Sequence, residues 1–394
     1  MTFDPAAPLP DAPDPWAGSE MPAWRDGPPW AMTEMISAEP ALAGRLVDRL
    51  QADPALARVA AAIRESAVAG EPITTTGCGT SQHAAMAVAA LLADGLAPHA
   101  PASSVQAVQA FELSGSRRLG GFTLAVSHEG GTEATNRAVA HAGGREAATA
   151  LITVSERSPG AALARDVIAT REQDQSWCHT VGYLSPLVAG ACLRAALRAA
   201  PLDADAVADQ VAAGTDAGVA EHGARALTDA DRLLIVGSGA DWAAARELAL
   251  KVEEGVHLPT TAHELETIRH GHWAATTQRT GLVLVLADGE DRGAELTERA
   301  VAVLRAAEAL GLPTVVIAAA DRAAIAGAAA GVTTVPFALD PRLDRLDAAI
   351  LGVVTPLQLL TERLARARGV NPDTIGRDDP RHAAAAADFG PWQA

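Results

Sequence analysis

The sequence predicts an α/β protein made of two doubly wound parallel-sheet lobes in tandem. Three observations carry this. The chain has 394 residues and is 49% hydrophobic, too long for one ordinary domain and apolar enough for two cores. Short apolar runs end in Gly-rich turns and lead directly into Ala-rich helical patterns. That alternation marks βαβ units, whose parallel strands are covered on both faces. The same pattern also returns at a fixed offset, since Gly77 and Gly237 lie 160 residues apart in equivalent settings.

Residues 1–30 are rich in Pro, Asp, Gly and Trp and read as an extended arm, whose Trp side chains are candidates to pack on a neighbouring surface. The first lobe is expected over 31–205. Its first strand is Ile73-Thr74-Thr75-Thr76, closed by Gly77-Cys78-Gly79, with a helix from Ser81. Its second is Phe122-Thr123-Leu124-Ala125-Val126, with a helix from about Thr132, and its third spans 150–154. The second lobe is expected over 206–370. Leu233-Leu234-Ile235-Val236 runs into Gly237-Ser238-Gly239 and a helix from Asp241, Leu282 opens the next strand, and 314–318 gives a third. Residues 371–394 form a tail.

The formal net charge is −17, from 31 basic against 48 acidic side chains. A phosphate backbone needs a basic face and an anionic lipid surface needs basic clusters, so neither nucleic acid nor membrane is an expected partner. The start, Met1-Thr2-Phe3-Asp4-Pro5, does not read as a secretory leader. Three unpatterned cysteines, Cys78, Cys178 and Cys192, suit a reducing cytoplasm. Lys251 is the single lysine in the chain. An Arg-biased composition explains the other basic residues but not a surviving ammonium, which differs from guanidinium in being compact and titratable.

Ligands of doubly wound folds sit beyond the carboxyl ends of the strands, so the turns there are the candidate site. In Gly77-Cys78-Gly79-Thr80-Ser81, glycines admit a ligand close to the backbone and the following helix presents free N–H groups. Neither a dinucleotide fingerprint nor a Walker A motif is present. Ser127-His128-Glu129-Gly130-Gly131-Thr132 occupies the same place on the next strand. Together the two turns make a polar cup suited to a sugar or sugar phosphate. Glu247, Lys251 and Glu254 share one face of the second lobe's first helix at i, i+4 and i+7. His270-Gly271-His272 offers imidazoles for proton transfer. Too few convergent ligands accompany it for a zinc site, so no metal is expected.

At these places together the chain resembles the sugar isomerase (SIS) domain family, a flavodoxin-like fold. It is most similar to the isomerase half of glucosamine-6-phosphate synthase, the amino-sugar deaminases and the fructosamine deglycases. The similarity runs through Met32-Thr33-Glu34-Met35-Ile36-Ser37-Ala38-Glu39-Pro40, Cys78-Gly79-Thr80-Ser81, the altered loop 127–132, Glu247/Lys251/Glu254, Arg269-His270-Gly271 and Gly369-Val370-Asn371-Pro372-Asp373. It covers about residues 30–385.

The resemblance implies that Gly79, Thr80, Ser81, Ser127, His128, Glu129 and Thr132 surround the substrate, with the hydroxyls of Thr80, Ser81, Ser127 and Thr132 at its phosphate or hydroxyl end. Glu254 would carry a proton between C1 and C2 of the open-chain sugar, His270 would open the ring from a neighbouring subunit of a homodimer, and Lys251 and Glu247 would set the charge around Glu254. No cofactor is implied, and the reaction class is aldose–ketose isomerisation, deamination or deglycation. The alternative is a non-catalytic sugar-binding protein, disfavoured by the two lobes and by the retention of Glu254, Lys251 and His270.

Three departures stand out. Thr2 occupies the position where a glutaminase half would expose its Cys nucleophile, so no glutaminase activity is expected, and residues 377–394 contain no Lys. Glu129 also replaces a phosphate-binding Ser. A carboxylate about 4 Å from a phosphate charge costs roughly 4 kcal/mol at an effective dielectric of about 20. Unless Glu129 turns outward, the substrate is therefore expected to lack a phosphate there.

Overall fold

The computed structural model describes residues 3–18, 25, 27–98, 100, 104–117, 120–288 and 293–388. Among them are two five-stranded parallel sheets. The first contains β1 (Ile73–Gly77), β2 (Val105–Gln109), β3 (Phe122–Val126), β4 (Ala148–Thr153) and β5 (Asp166–Ala169) in the order β2-β1-β3-β4-β5. The second contains β6 (Arg232–Val236), β7 (Thr260–His263), β8 (Thr280–Leu286), β9 (Thr314–Ala319) and β10 (Val332–Phe337) in the order β7-β6-β8-β9-β10. Both orders read 2-1-3-4-5 within their lobe, the flavodoxin-like winding with its switch point beside the first strand. Every residue of β1, β3, β8 and β9 is buried, as strands covered on both faces require.

The helices that matter for the site follow these strands. They are α1 (Ala31–Ala52), α2 (Pro54–Val68), α3 (Thr80–Leu96) after β1, α4 (Ala110–Ser114), α5 (Glu133–Gly143) after β3, α6 (Val181–Arg198), α7 (Ala204–Ala212), α8 (Ala217–Leu227), α9 (Asp241–Val256) after β6, α10 (Gly293–Ala309), α11 (Arg345–Gly352) and α12 (Val354–Arg368). Pro54 and the Asp53 cap open α2, where a missing N–H costs nothing. Buried on almost every side, α6 is a helix apolar all round that lies at the centre of the molecule. The run Arg345–Arg368 has the length and composition to cross a bilayer, but 94% of its most apolar stretch is buried in the fold. It is a core element.

One continuous apolar cluster joins the lobes, from Leu46, Leu91 and Leu187 to Leu248, Val315 and Leu357. Buried Arg194 of α6 adds a polar tie, pairing with Asp94 of α3, with Asp344 at 2.8 Å and with Asp347 of α11 at 2.5 Å. The C-terminal segment also returns to the start of the fold. Asp373 accepts the N–H groups of Ala31 (2.6 Å) and Met32 (3.0 Å), capping α1 with a carboxylate at its positive end.

Residues 3–18 of the arm have no helix or strand and run across the first lobe. Leu9 donates its N–H to Glu172 (3.0 Å), Pro10 accepts from Gln173 N–H (2.8 Å), and Ala12 accepts from Arg157 (3.0 Å). Trp16 Nε1 donates to the Glu129 carbonyl (3.1 Å).

Candidate functional site

The turn between β1 and α3 has little conformational freedom. A Cβ on Gly77 would lie 2.6 Å from the Ser81 backbone, and Gly79 has φ +54°, so both positions call for glycine. Their geometry turns the first residues of α3 toward the carboxyl edge of the sheet. The turn after β3 is equally constrained, because a Cβ on Gly130 (φ +71°) would meet Ser158 Oγ at 2.1 Å. Ser127 and His128 therefore emerge beside Thr80 and Ser81.

A cleft of about 210 Å³ lies between these turns. Of the expected residues, Gly79, Thr80, Ser81, His128, Thr132 and Glu254 line it. Cys78, Trp177, His179, Gly182, Ile375 and Arg377 complete the wall. Hence α9 of the second lobe brings its carboxylate to the mouth formed by the first lobe's hydroxyl-bearing turns. Ser127 stands one layer back, 2% exposed, with its hydroxyl 3.4 Å from that of Thr132.

Behind the cleft runs a buried charge chain. Glu254, whose side chain is 27% exposed, pairs with Lys251 Nζ at 2.5 Å, and Lys251 lies 3.7 Å from Glu247. Glu247 accepts from the Thr80 hydroxyl (3.1 Å) and from His83 Nδ1 (2.8 Å). Burial disfavours charge on Glu247, but Lys251, His83 and Thr80 outweigh it and hold the carboxyl below its usual range. Burial likewise works against the Lys251 ammonium, and the carboxylates of Glu254 and Glu247 reverse that and raise it. The i, i+4, i+7 face is thus a buried joint between lobes, with Glu247 against the first turn of α3, where a negative charge is favoured. His83 is a member that the sequence analysis did not single out.

Two expected residues stand elsewhere. His270 is 72% exposed and pairs with Glu266 at 3.1 Å in a short 3-10 turn beyond β7, outside the cleft of its own chain. The neighbouring His263 and His272 rings lie with centroids 4.0 Å apart and planes tilted by 39°, and no group of three or more metal-ligating side chains occurs among the described residues. Glu129 is buried but does not line the cleft. A Cβ on Gly18 of the arm would lie 3.4 Å from its Oε2. The carboxylate therefore faces the arm, which removes the ground for expecting it to repel a phosphate by direct contact.

The segment between β5 and α6 supplies three groups that sequence reasoning missed. Buried Asp174 accepts the N–H groups of Ser176 (2.8 Å), Thr180 (2.7 Å) and Gly182 (2.9 Å), so it caps α6. It also lies 3.7 Å from His179 Nδ1. Burial works against charge on His179, but Asp174 outweighs it and raises the imidazole. Its neighbour His128, with rings 5.4 Å apart, is instead depressed to about 3 by burial and then by His179. His128 is neutral, its Nε2 accepting from Asp174 N–H at 3.0 Å. The third group, Trp177, carries the Arg377 guanidinium over its ring, Cζ 3.0 Å from the centroid. No turn motif or periodicity marks these residues in the sequence. Arg377 stands in the tail, where no motif marks it.

In the second lobe the matching turn is occupied from within. At the 160-residue offset Asp241 stands where Ser81 stands in the first, and its carboxylate accepts the N–H groups of Ala287 and Asp288 at 3.0–3.2 Å. Burial, then Asp288, pushes this carboxyl up to about 8.

The two-lobed fold is one that solved sugar isomerase (SIS) structures share. Residues 226–336 match the SIS domain family. Among solved structures, the C-terminal domain of glucosamine-fructose-6-phosphate aminotransferase from Francisella tularensis is similar at 17% identity and TM-score 0.71, covering 89% of this chain and 99% of that one. Tagatose-6-phosphate ketose/aldose isomerase from Escherichia coli follows at 19% and 0.69, covering 88% and 95%. Glucosamine-6-phosphate deaminase from Thermotoga maritima is similar at 17% and 0.64, covering 87% and 97%. No curated protein sequence matches the chain.

Proposed function

We propose that this protein is an enzyme that binds a sugar or amino sugar, free or phosphorylated, and moves a proton between its C1 and C2. The reaction class is aldose–ketose isomerisation, deamination or deglycation. The observation that carries this reading is the placement of Glu254 in one cleft with Thr80, Ser81 and Thr132, with Lys251 paired to its carboxylate. A carboxylate beside an α-carbonyl can take the C2 proton and return it to C1 through an enediol or enamine. Thr80, Ser81 and Thr132 hold the far end of the substrate, Trp177 gives an apolar wall and Arg377 a positive charge. The similar structures named for isomerases and a deaminase support the class.

The test is a panel of hexoses and hexosamines, with and without a 6-phosphate, incubated in D₂O and followed by NMR. Deuterium is expected at C1 or C2 of at least one probe, falling by at least about 10²-fold in Glu254→Gln with the fold intact. Exchange unchanged in that variant would remove Glu254 from its role. No exchange on any probe would remove the reading.

A further inference from the structure

Resting on that reading, we propose that His179, held by Asp174, is the acid–base group that opens the sugar ring within a single chain. The cleft receives the His179 imidazole from its own first lobe. His179 precedes α6, and its ring packs on Gly182, where a Cβ would lie 3.3 Å from His179 Nδ1. That Gly lets the ring lie against the helix start with Nδ1 3.7 Å from Asp174, while the residue lines the cleft. Asp174 is itself fixed by three backbone N–H groups, so its charge is held beside the imidazole. A buried carboxylate locked in place beside a partly exposed imidazole is the arrangement that general acid–base catalysis uses.

Charged and titratable groups face His179 from every element packed on it. On its own segment stands Asp174. From the loop after β3 comes His128, which is neutral, from α9 come Lys251 and Glu254, and from the C-terminal segment comes Arg377 on the same wall. Burial and Lys251 favour the free base, Asp174 and Glu254 favour the cation, and the net effect raises the imidazole above its ordinary value. Imidazole is the side chain whose ordinary titration lies closest to neutral pH.

Ring opening then balances on one residue. Neutral His179 takes the proton of the C1 hydroxyl. The electron pair left on that oxygen forms the C1 carbonyl, the C1–O5 bond breaks with its pair on the ring oxygen, and the ring oxygen takes the proton from the imidazolium. His179 ends as it began, and Glu254 acts next on the open chain.

Anomer interconversion reports ring opening directly, without the C1–C2 proton transfer. Exchange between the α and β anomers of glucose 6-phosphate and glucosamine 6-phosphate, read by NMR, is expected to be accelerated by the wild type on the probe it processes. His179→Asn should lose about 10²-fold of that acceleration, with folding checked by circular dichroism and His179→Gln as a second variant. Asp174→Asn should move the midpoint of the pH profile downward, whereas a purely structural role would lower the rate without moving it. Unaltered acceleration in both His179 variants, no acceleration by the wild type, or a loss in His270→Asn instead would overturn the inference. Deuterium exchange at C1 or C2 persisting in those cases would leave the proposed function standing.

Discussion

Lys251 and Glu254 meet at 2.5 Å, with the ammonium fully buried and the carboxylate at the edge of the cleft. The same ammonium lies 3.7 Å from fully buried Glu247. Removing it leaves one carboxylate buried without its cation and the other without its anchor. Lys251→Met is expected to lose about 3–5 kcal/mol of stability, the cost of breaking a buried pair from one side. Urea denaturation measures this. The double change with Glu247→Leu should recover part of the loss, and a single variant as stable as wild type would mean that Glu247 takes up a proton at little cost.

Stability should respond to pH through His128. Its pKa falls from the ordinary 6.5 to about 3 in the fold. Between those values the unfolded chain binds a proton that the folded chain does not, so stability falls as pH drops through that window, with a slope of up to about 1.4 kcal/mol per pH unit. His128→Gln can still accept the Asp174 N–H and does not titrate. The difference between the two proteins, measured by denaturation from pH 7 to 4, should shift steadily in favour of the variant. A flat difference would place the proton elsewhere.

Asp241 has the opposite dependence. Its carboxyl is raised from 3.8 to about 8, so folded protein holds a proton that unfolded protein releases. The stabilisation is present below pH 4 and is lost as pH rises toward 8. Asp241→Asn keeps an oxygen for the Ala287 and Asp288 N–H groups and removes the titration. Its melting temperature relative to wild type is expected to rise between pH 5 and 9, which differential scanning calorimetry can follow.

The arm covers a loop of the site. Trp16 donates to the Glu129 carbonyl, and Gly18 approaches the Glu129 carboxylate. Trp16→Ala should cost about 1 kcal/mol for the lost hydrogen bond. It should also speed amide hydrogen exchange in residues 127–132 more than in β1. Equal protection in both proteins would show that the arm rests on the loop without holding it.

The central strands were legible in the sequence because residues 73–77, 122–126, 282–286 and 314–319 are continuous apolar or β-branched runs between turn residues. The edge strands were not. Val105–Gln109 alternates with glutamines and is partly exposed, and Val332–Phe337 contains Pro336, tolerated because an edge strand can spare an N–H. In the site, Thr80, Ser81, Thr132, Glu254 and the buried Lys251/Glu247 face follow from turn position and helical spacing. His179, Asp174 and Trp177 belong to an irregular segment, and irregular backbone reveals its side-chain directions only once the fold closes over it. His83 reads as an ordinary helical residue until α9 packs against it.

The internal acid at Asp241 also bears on counting. Two windings of similar shape would ordinarily suggest a pair of berths, yet in the second a permanent tenant of the chain's own making already takes up the main-chain donors. Calorimetric titration with a processed sugar should therefore saturate at one guest per polypeptide.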